Sequence, residues 1–158
     1  MPAAYRERLR VEGAVLAACG ALSGAAVLAF GHGATRGPVS TVVQLLVVAA
    51  LMATLGVRSV RRSMQRAEAI DASDPGTGEP TALWKLPLIV TVLTLAFGFA
   101  AGWDAGLRIG GGCVVVGLAQ ALLFERLVAR EEARRARRFQ RVAGSSILTG
   151  TKLGYDRR

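Results

Sequence analysis

Along this chain the apolar positions are gathered into four blocks rather than spread at helical or strand period: Val11 to Phe30, Val39 to Val57, Leu86 to Gly102 and Ile109 to Phe124. Each block is about 16 to 20 residues, and at about 1.5 Å rise per residue a helix of that length covers roughly 24 to 30 Å, near the hydrocarbon thickness of a bilayer. A helix on the surface of a soluble protein keeps a polar face at every turn. Here Val42 to Leu51 offers only Gln44, and Val90 to Ala101 offers only threonines. The pattern predicts an all-α integral membrane protein, a bundle of four transmembrane helices spanning about residues 11–30, 39–57, 86–102 and 109–124.

Charge sets the orientation of those spans. The chain is 52% hydrophobic yet carries a net charge of +9, a combination that fits lipid-buried blocks with the charges lying between them. Arg6, Arg8 and Arg10 precede the first span, and Arg58, Arg61, Arg62, Arg66 and Lys85 lie between the second and third. Ten more follow the fourth, so that 18 of the 20 basic residues share one face of a four-span protein; only Arg36 and Arg108 fall in the other turns. By the positive-inside rule the basic face is cytoplasmic, which puts both termini inside a multi-pass protein of the cell membrane. Trp84 and Trp103 bracket the third span roughly 28 Å apart at about 1.5 Å per residue, matching aromatic belts at the two interfaces. Tyr5 is expected at the inner interface. Pro87 falls in a first helical turn, where its missing N–H is least needed, and Lys85 can snorkel inward.

Candidate motifs narrow the picture mainly by failing. The arginines before the first span followed by Leu16-Ala17-Ala18-Cys19 resemble a lipoprotein signal, but Glu12 interrupts the short apolar stretch before the cysteine and the run continues to Phe30. An uncleaved span is the better reading. Cys19 and Cys113 are expected about 9 Å apart in depth at about 1.5 Å per residue, too far for a disulfide, and read as small packing residues. His32 stands in the first outer turn without neighbouring ligands, so no metal is expected. Gly144 to Lys152 imitates a phosphate loop, yet it has five residues between its glycines and Thr151 where the pattern needs lysine. No cofactor and no catalytic set of acid, base or nucleophile is expected in the spans.

Small residues recur on one face of every span, which lets backbones approach where lipid removes the hydrophobic drive between helices. The packing candidates are Gly13, Gly20 and Gly24 in the first span, Gly98 and Gly102 in the third, and Gly110 and Gly117 in the fourth. No charge lies deep in a span; Gln44 and Gln120 are the polar groups there, expected to make interhelical hydrogen bonds or, in an oligomer, to line a pore.

Residues 1–128 form the expected membrane domain and 129–158 a basic cytoplasmic tail. Arg58 to Ala69 reads as a helical continuation, then residues 71–80 as an acidic turn-rich loop. The fourth helix is expected to run on to about Val142, because Glu125 to Val142 lacks Gly and Pro. Arg130, Arg134, Arg135, Arg137, Arg138 and Arg141 form a polybasic stretch beside the membrane, a composition that seeks anionic headgroups first, an acidic protein partner second and nucleic acid last. Phe139 and Tyr155 are the only aromatics there that could stack on bases, and Ile147, Leu148, Leu153 and Tyr155 could dock on an apolar surface. Two helical hairpins each followed by basic residues share a plan, but their spans do not align as a repeat. Arginine over lysine and abundant Ala, Gly and Val suggest a GC-rich prokaryotic source. The expected role is a structural or accessory membrane protein that pairs with a protein partner or with copies of itself, with a small oligomeric channel or holin-like pore as the alternative.

Overall fold

A computed structural model describes residues 5–31, 38–69, 85–141 and 153–157. The chain is mostly helical: α1 (Tyr5–Phe30), α2 (Pro38–Leu51), α3 (Val57–Gln65), α4 (Lys85–Ala100), α5 (Trp103–Leu118) and α6 (Glu125–Arg135). Wide π turns, Met52–Gly56 and Ala119–Phe124, join α2 to α3 and α5 to α6 without a break. Three helices are long and apolar enough to cross a membrane: Tyr5–Phe30, Val39–Gln65 and Trp103–Arg135; α4 is apolar but shorter. His32, Arg36, Trp84, the acidic loop at 71–80 and residues 142–152 lie outside the described residues.

Glycine decides how the helices meet. A Cβ placed on Gly13 would lie 2.5 Å from the carbonyl oxygen of Gly117, and one on Gly20 would lie 2.6 Å from that of Gly110. The backbones of α1 and α5 therefore touch antiparallel, an approach that only the absence of side chains permits. On α4, Gly98 receives the side chain of Val27 and sits against Gly106 of α5, so α1, α4 and α5 pack mutually. α2 leans chiefly on α5, with Leu45 over Gly111. Large apolar side chains point the other way, with Leu22, Phe30, Val39 and Leu46 exposed. Small residues inside and large ones outside is the distribution of helices solvated by lipid.

Each end of the helical array has its own closure. At one end Arg108 bonds Ser40 (2.8 Å) and Asp104 (3.1 Å), and Thr41 donates to Asp104 (3.3 Å), which ties the start of α2 to the start of α5. Trp103 packs against Gly31 at the same end. At the other end Tyr5, Leu9, Met64, Phe124, Val128, Phe139 and Leu153 form a buried apolar cluster. Arg6 pairs with Glu125 (3.0 Å) beside it.

That second closure differs from the expected all-α tail. The helix does not reach Val142: it stops at Arg135, and Ala136 takes a left-handed conformation with φ 49°. Residues Arg137–Arg141 then form strand β2, which pairs antiparallel with β3 (Leu153–Arg157), while β1 (Glu68–Ala69) joins β3 in parallel. Two effects outweigh the helix propensity of the segment. Continuing the helix would place Arg134 one turn from Arg137 and Arg138, a like-charge repulsion, and would carry Phe139 about 16 Å along the axis from Val128, away from the cluster. Burying one such side chain is worth about 1.5–3 kcal/mol, more than the roughly 1–2 kcal/mol of a single left-handed residue. The Phe139 N–H donates to the Glu132 carboxylate (3.0 Å), which fixes the turn.

Two smaller expectations are also revised. Gly102 is not on a helix face; it precedes α5 with φ 92°, a conformation that glycine adopts freely. Cys113 is not far in depth from Cys19, since the Cβ of Cys113 lies against Gly20. Glycine contacts set the register of α1 and α5, and they sink the charged start of α1 to the level of the apolar end of α5.

Candidate functional site: an arginine-lined cleft

The two long helices that end in basic residues leave their apolar stretches at one level. Phe124 lies over Gly56, where a Cβ would come within 2.5 Å of its ring. Both residues of that contact end their helix's π turn: the N–H of Val57 reaches back to the carbonyl of Met52, and that of Glu125 to the carbonyl of Gln120. Such turns shift the side chains that follow them around the helix and recur at functional sites.

Past this level α3 and α6 enclose a cleft of about 800 Å³. Val57, Met64, Leu123 and Leu127 give it an apolar floor, and Met64 is at the same time part of the buried cluster. Arginines form the walls. Arg126, Arg130 and Arg134 recur at steps of four along one face of α6, Arg135 follows, and Arg61 faces them from α3. Glu131 is the sole carboxylate among the lining residues, and it is held by Arg135 (2.6 Å). Arg61, Arg126, Arg130 and Arg134 have no acidic partner among the described residues.

The polybasic stretch is thus split by the fold. Arg130, Arg134 and Arg135 line the cleft, whereas Arg137, Arg138 and Arg141 lie on β2, with the Arg137 guanidinium 4.2 Å from the centre of the Tyr155 ring. Phe139 is buried in the cluster and not free to stack on a base, and Leu153 is buried with it. Arg61 and Arg126 join the site although they count in sequence only as topology determinants. The steps of four from Arg126 to Arg134 are visible in the sequence; the approach of Arg61 depends on how α3 packs.

The remaining candidates lie elsewhere. Gln44 is exposed on α2, and Gln120 lies beside Gly13 of α1, so one chain does not bring the two to a common lining. Gly13, Gly20, Gly110 and Gly117 are in the α1–α5 contact and Gly98 is against Val27; Gly24 is buried, but a Cβ there would meet nothing within 4 Å. Among the described residues no three His, Cys, Asp or Glu side chains gather as a metal site.

Chemically the cleft is suited to hold an anion with an apolar part. Guanidinium groups bind phosphate oxygens with two parallel hydrogen bonds each, and the leucines beneath them accept hydrocarbon. No family model, curated protein or solved structure matches this chain.

Proposed function

We propose that this chain is a small structural or accessory protein of the cell membrane, with four spans, both termini in the cytoplasm, and a basic cytoplasmic face that contacts anionic lipid or a partner complex. One observation carries the reading: four arginines without acidic partners among the described residues converge at the end of the molecule where 18 of the 20 basic residues fall in a four-span arrangement. A basic surface just outside a membrane span attracts anionic headgroups with about 1 kcal/mol per basic residue, within a Debye length of about 8 Å at physiological salt. The close backbone contact of α1 with α5 supports a packed, non-conducting interior.

The test is isolation of the full-length protein from native membranes in mild detergent, followed by analysis of what stays bound. Anionic lipid or one defined protein should be enriched over the bulk membrane and should be released by high salt. Steady conductance across planar bilayers containing the purified protein would instead establish an oligomeric pore.

A further inference from the structure

We infer that the cleft between α3 and α6 is a specific site for one inner-leaflet phospholipid bearing two phosphates, its headgroup on Arg61, Arg126, Arg130 and Arg134 and an acyl chain along Leu123 and Leu127. This rests on the reading of the basic face as lipid-contacting, and adds to it a defined place, a stoichiometry and a headgroup.

Charge selects the occupant first. The walls carry five guanidinium groups and a single carboxylate, itself held by Arg135. A headgroup with one phosphodiester would leave most of these charges facing one another, whereas two phosphates can each take a pair of arginines. Basic pockets between membrane helices on the cytoplasmic side are suited to such polyanionic headgroups. Shape argues the same way, since about 800 Å³ lies within the usual range of ligand sites, about 300–1,000 Å³.

Depth then separates a lipid from a soluble anion. The floor begins where Phe124 covers Gly56, at the last apolar turns of the two helices. Leu123 is 40% exposed and opens the cleft toward the exposed Leu122 and Leu118 on the apolar part of the helix. A phosphate seated among the arginines would have hydrocarbon directly beside it, which an acyl chain satisfies and a water-soluble anion does not.

Finally, the walls are built rather than loose. Val128 and Met64 are anchored in the buried cluster, and α6 ends in the turn fixed by Glu132 and Phe139. A polybasic tail free in solution would bind headgroups without a fixed number; arginines on two anchored helices bind one with less ordering to be done.

The experiment uses the full-length protein in nanodiscs of zwitterionic lipid, titrated with cardiolipin, which has two phosphodiesters, or with phosphatidylglycerol, which has one; bound lipid is counted by native mass spectrometry. One cardiolipin per chain should be retained, at least tenfold more tightly than phosphatidylglycerol. Arg61→Gln/Arg126→Gln/Arg130→Gln should weaken retention on the order of a hundredfold, at about 1 kcal/mol per charge. Arg10→Gln/Arg58→Gln/Arg66→Gln removes equal charge outside the cleft and should weaken retention at least tenfold less than the cleft variant does. The cleft arginines replaced are exposed, and an unchanged thermal melt will exclude unfolding. Equal weakening by both triple variants, or no preference between the two lipids, would overturn the cleft while leaving a general anionic-lipid face intact. Absence of any preference for anionic lipid would overturn both. Displacement of cardiolipin by inorganic phosphate at equal concentration would show that the acyl chain plays no part.

Discussion

At the scale of single residues, glycines that look alike in the sequence have different duties. Gly13, Gly20 and Gly24 share one stripe of α1, but only the first two face a carbonyl oxygen closer than any Cβ allows. Gly13→Ala or Gly117→Ala should push α1 from α5 and destabilise the protein by about 1–3 kcal/mol, the usual range for overpacking. Gly24→Ala should be neutral or stabilising by up to about 1 kcal/mol, because the methyl meets open space and alanine is the better helix former. Thermal melts in one detergent decide this, and equal losses at Gly13 and Gly24 would refute the assignment. Ala136 is the converse case, a non-glycine residue at φ 49°. Ala136→Gly should protect the α6–β2 turn from limited proteolysis by stabilising it about 1 kcal/mol. The stripe was legible because small residues at steps of three and four are written in the sequence; the gap beside Gly24 was not, since it depends on what the neighbouring helices carry.

At the scale of elements, the sequence pattern located the apolar helices and missed the sheet. Each apolar block identifies itself by length, but β2 is a five-residue stretch with four charges or amides around one Phe139, and nothing in its period marks a strand. Its conformation comes from partners far along the chain: β3 supplies the ladder, and Tyr5, Leu9, Met64 and Val128 supply the place for Phe139. Tertiary burial overrode local helix propensity, and a segment free of Gly and Pro gave no warning. Phe139→Ala should therefore cost about 3–5 kcal/mol of local stability, as large-to-small changes at buried aromatics do. Proteolysis would then cut within 137–157 of the folded protein while the helical array keeps its melting profile. Protection equal to the parent chain would mean that the strands do not depend on this cluster. The same cluster explains why half of the candidate site was legible. Arg130 and Arg134 announce themselves by number and spacing, whereas Arg61 becomes a wall of the cleft only because Met64, three residues on, is drawn into the core.

At the scale of the whole molecule, the proposed four crossings accord with which ends share a closure. The start of α1, the end of α3 and the start of α6 meet in one apolar cluster, while Gly31, Ser40 and Trp103 belong to the other end. A chain leaving α3 at the first end has to reach Trp103 at the second, and α4 is the helix available, with Thr94 beside Gly110 and Gly98 beside Gly106. Its 16 residues cover about 24 Å at about 1.5 Å per residue, short of a roughly 30 Å core, so a crossing by α4 would need local thinning and interfacial side chains such as Lys85 and Trp103 to make up the difference. Four crossings with the basic end inside, as proposed, would give a definite labelling pattern. With Cys19 and Cys113 replaced by alanine, single cysteines at Gly33 and Ala105 should react with a membrane-impermeant maleimide added to intact cells, and those at Thr77 and Ser146 should react only after lysis. The expectation rests on 18 basic residues against 2, a bias strong enough to orient the chain regardless of the acidic loop, since acidic residues contribute little to the rule. Labelling of Thr77 from outside with Gly33 protected would invert the protein and move the arginine cleft to the outer leaflet. Labelling of Thr77 inside but Ser146 outside would leave an odd number of crossings, and Tyr5 and Phe139 could then no longer share one core.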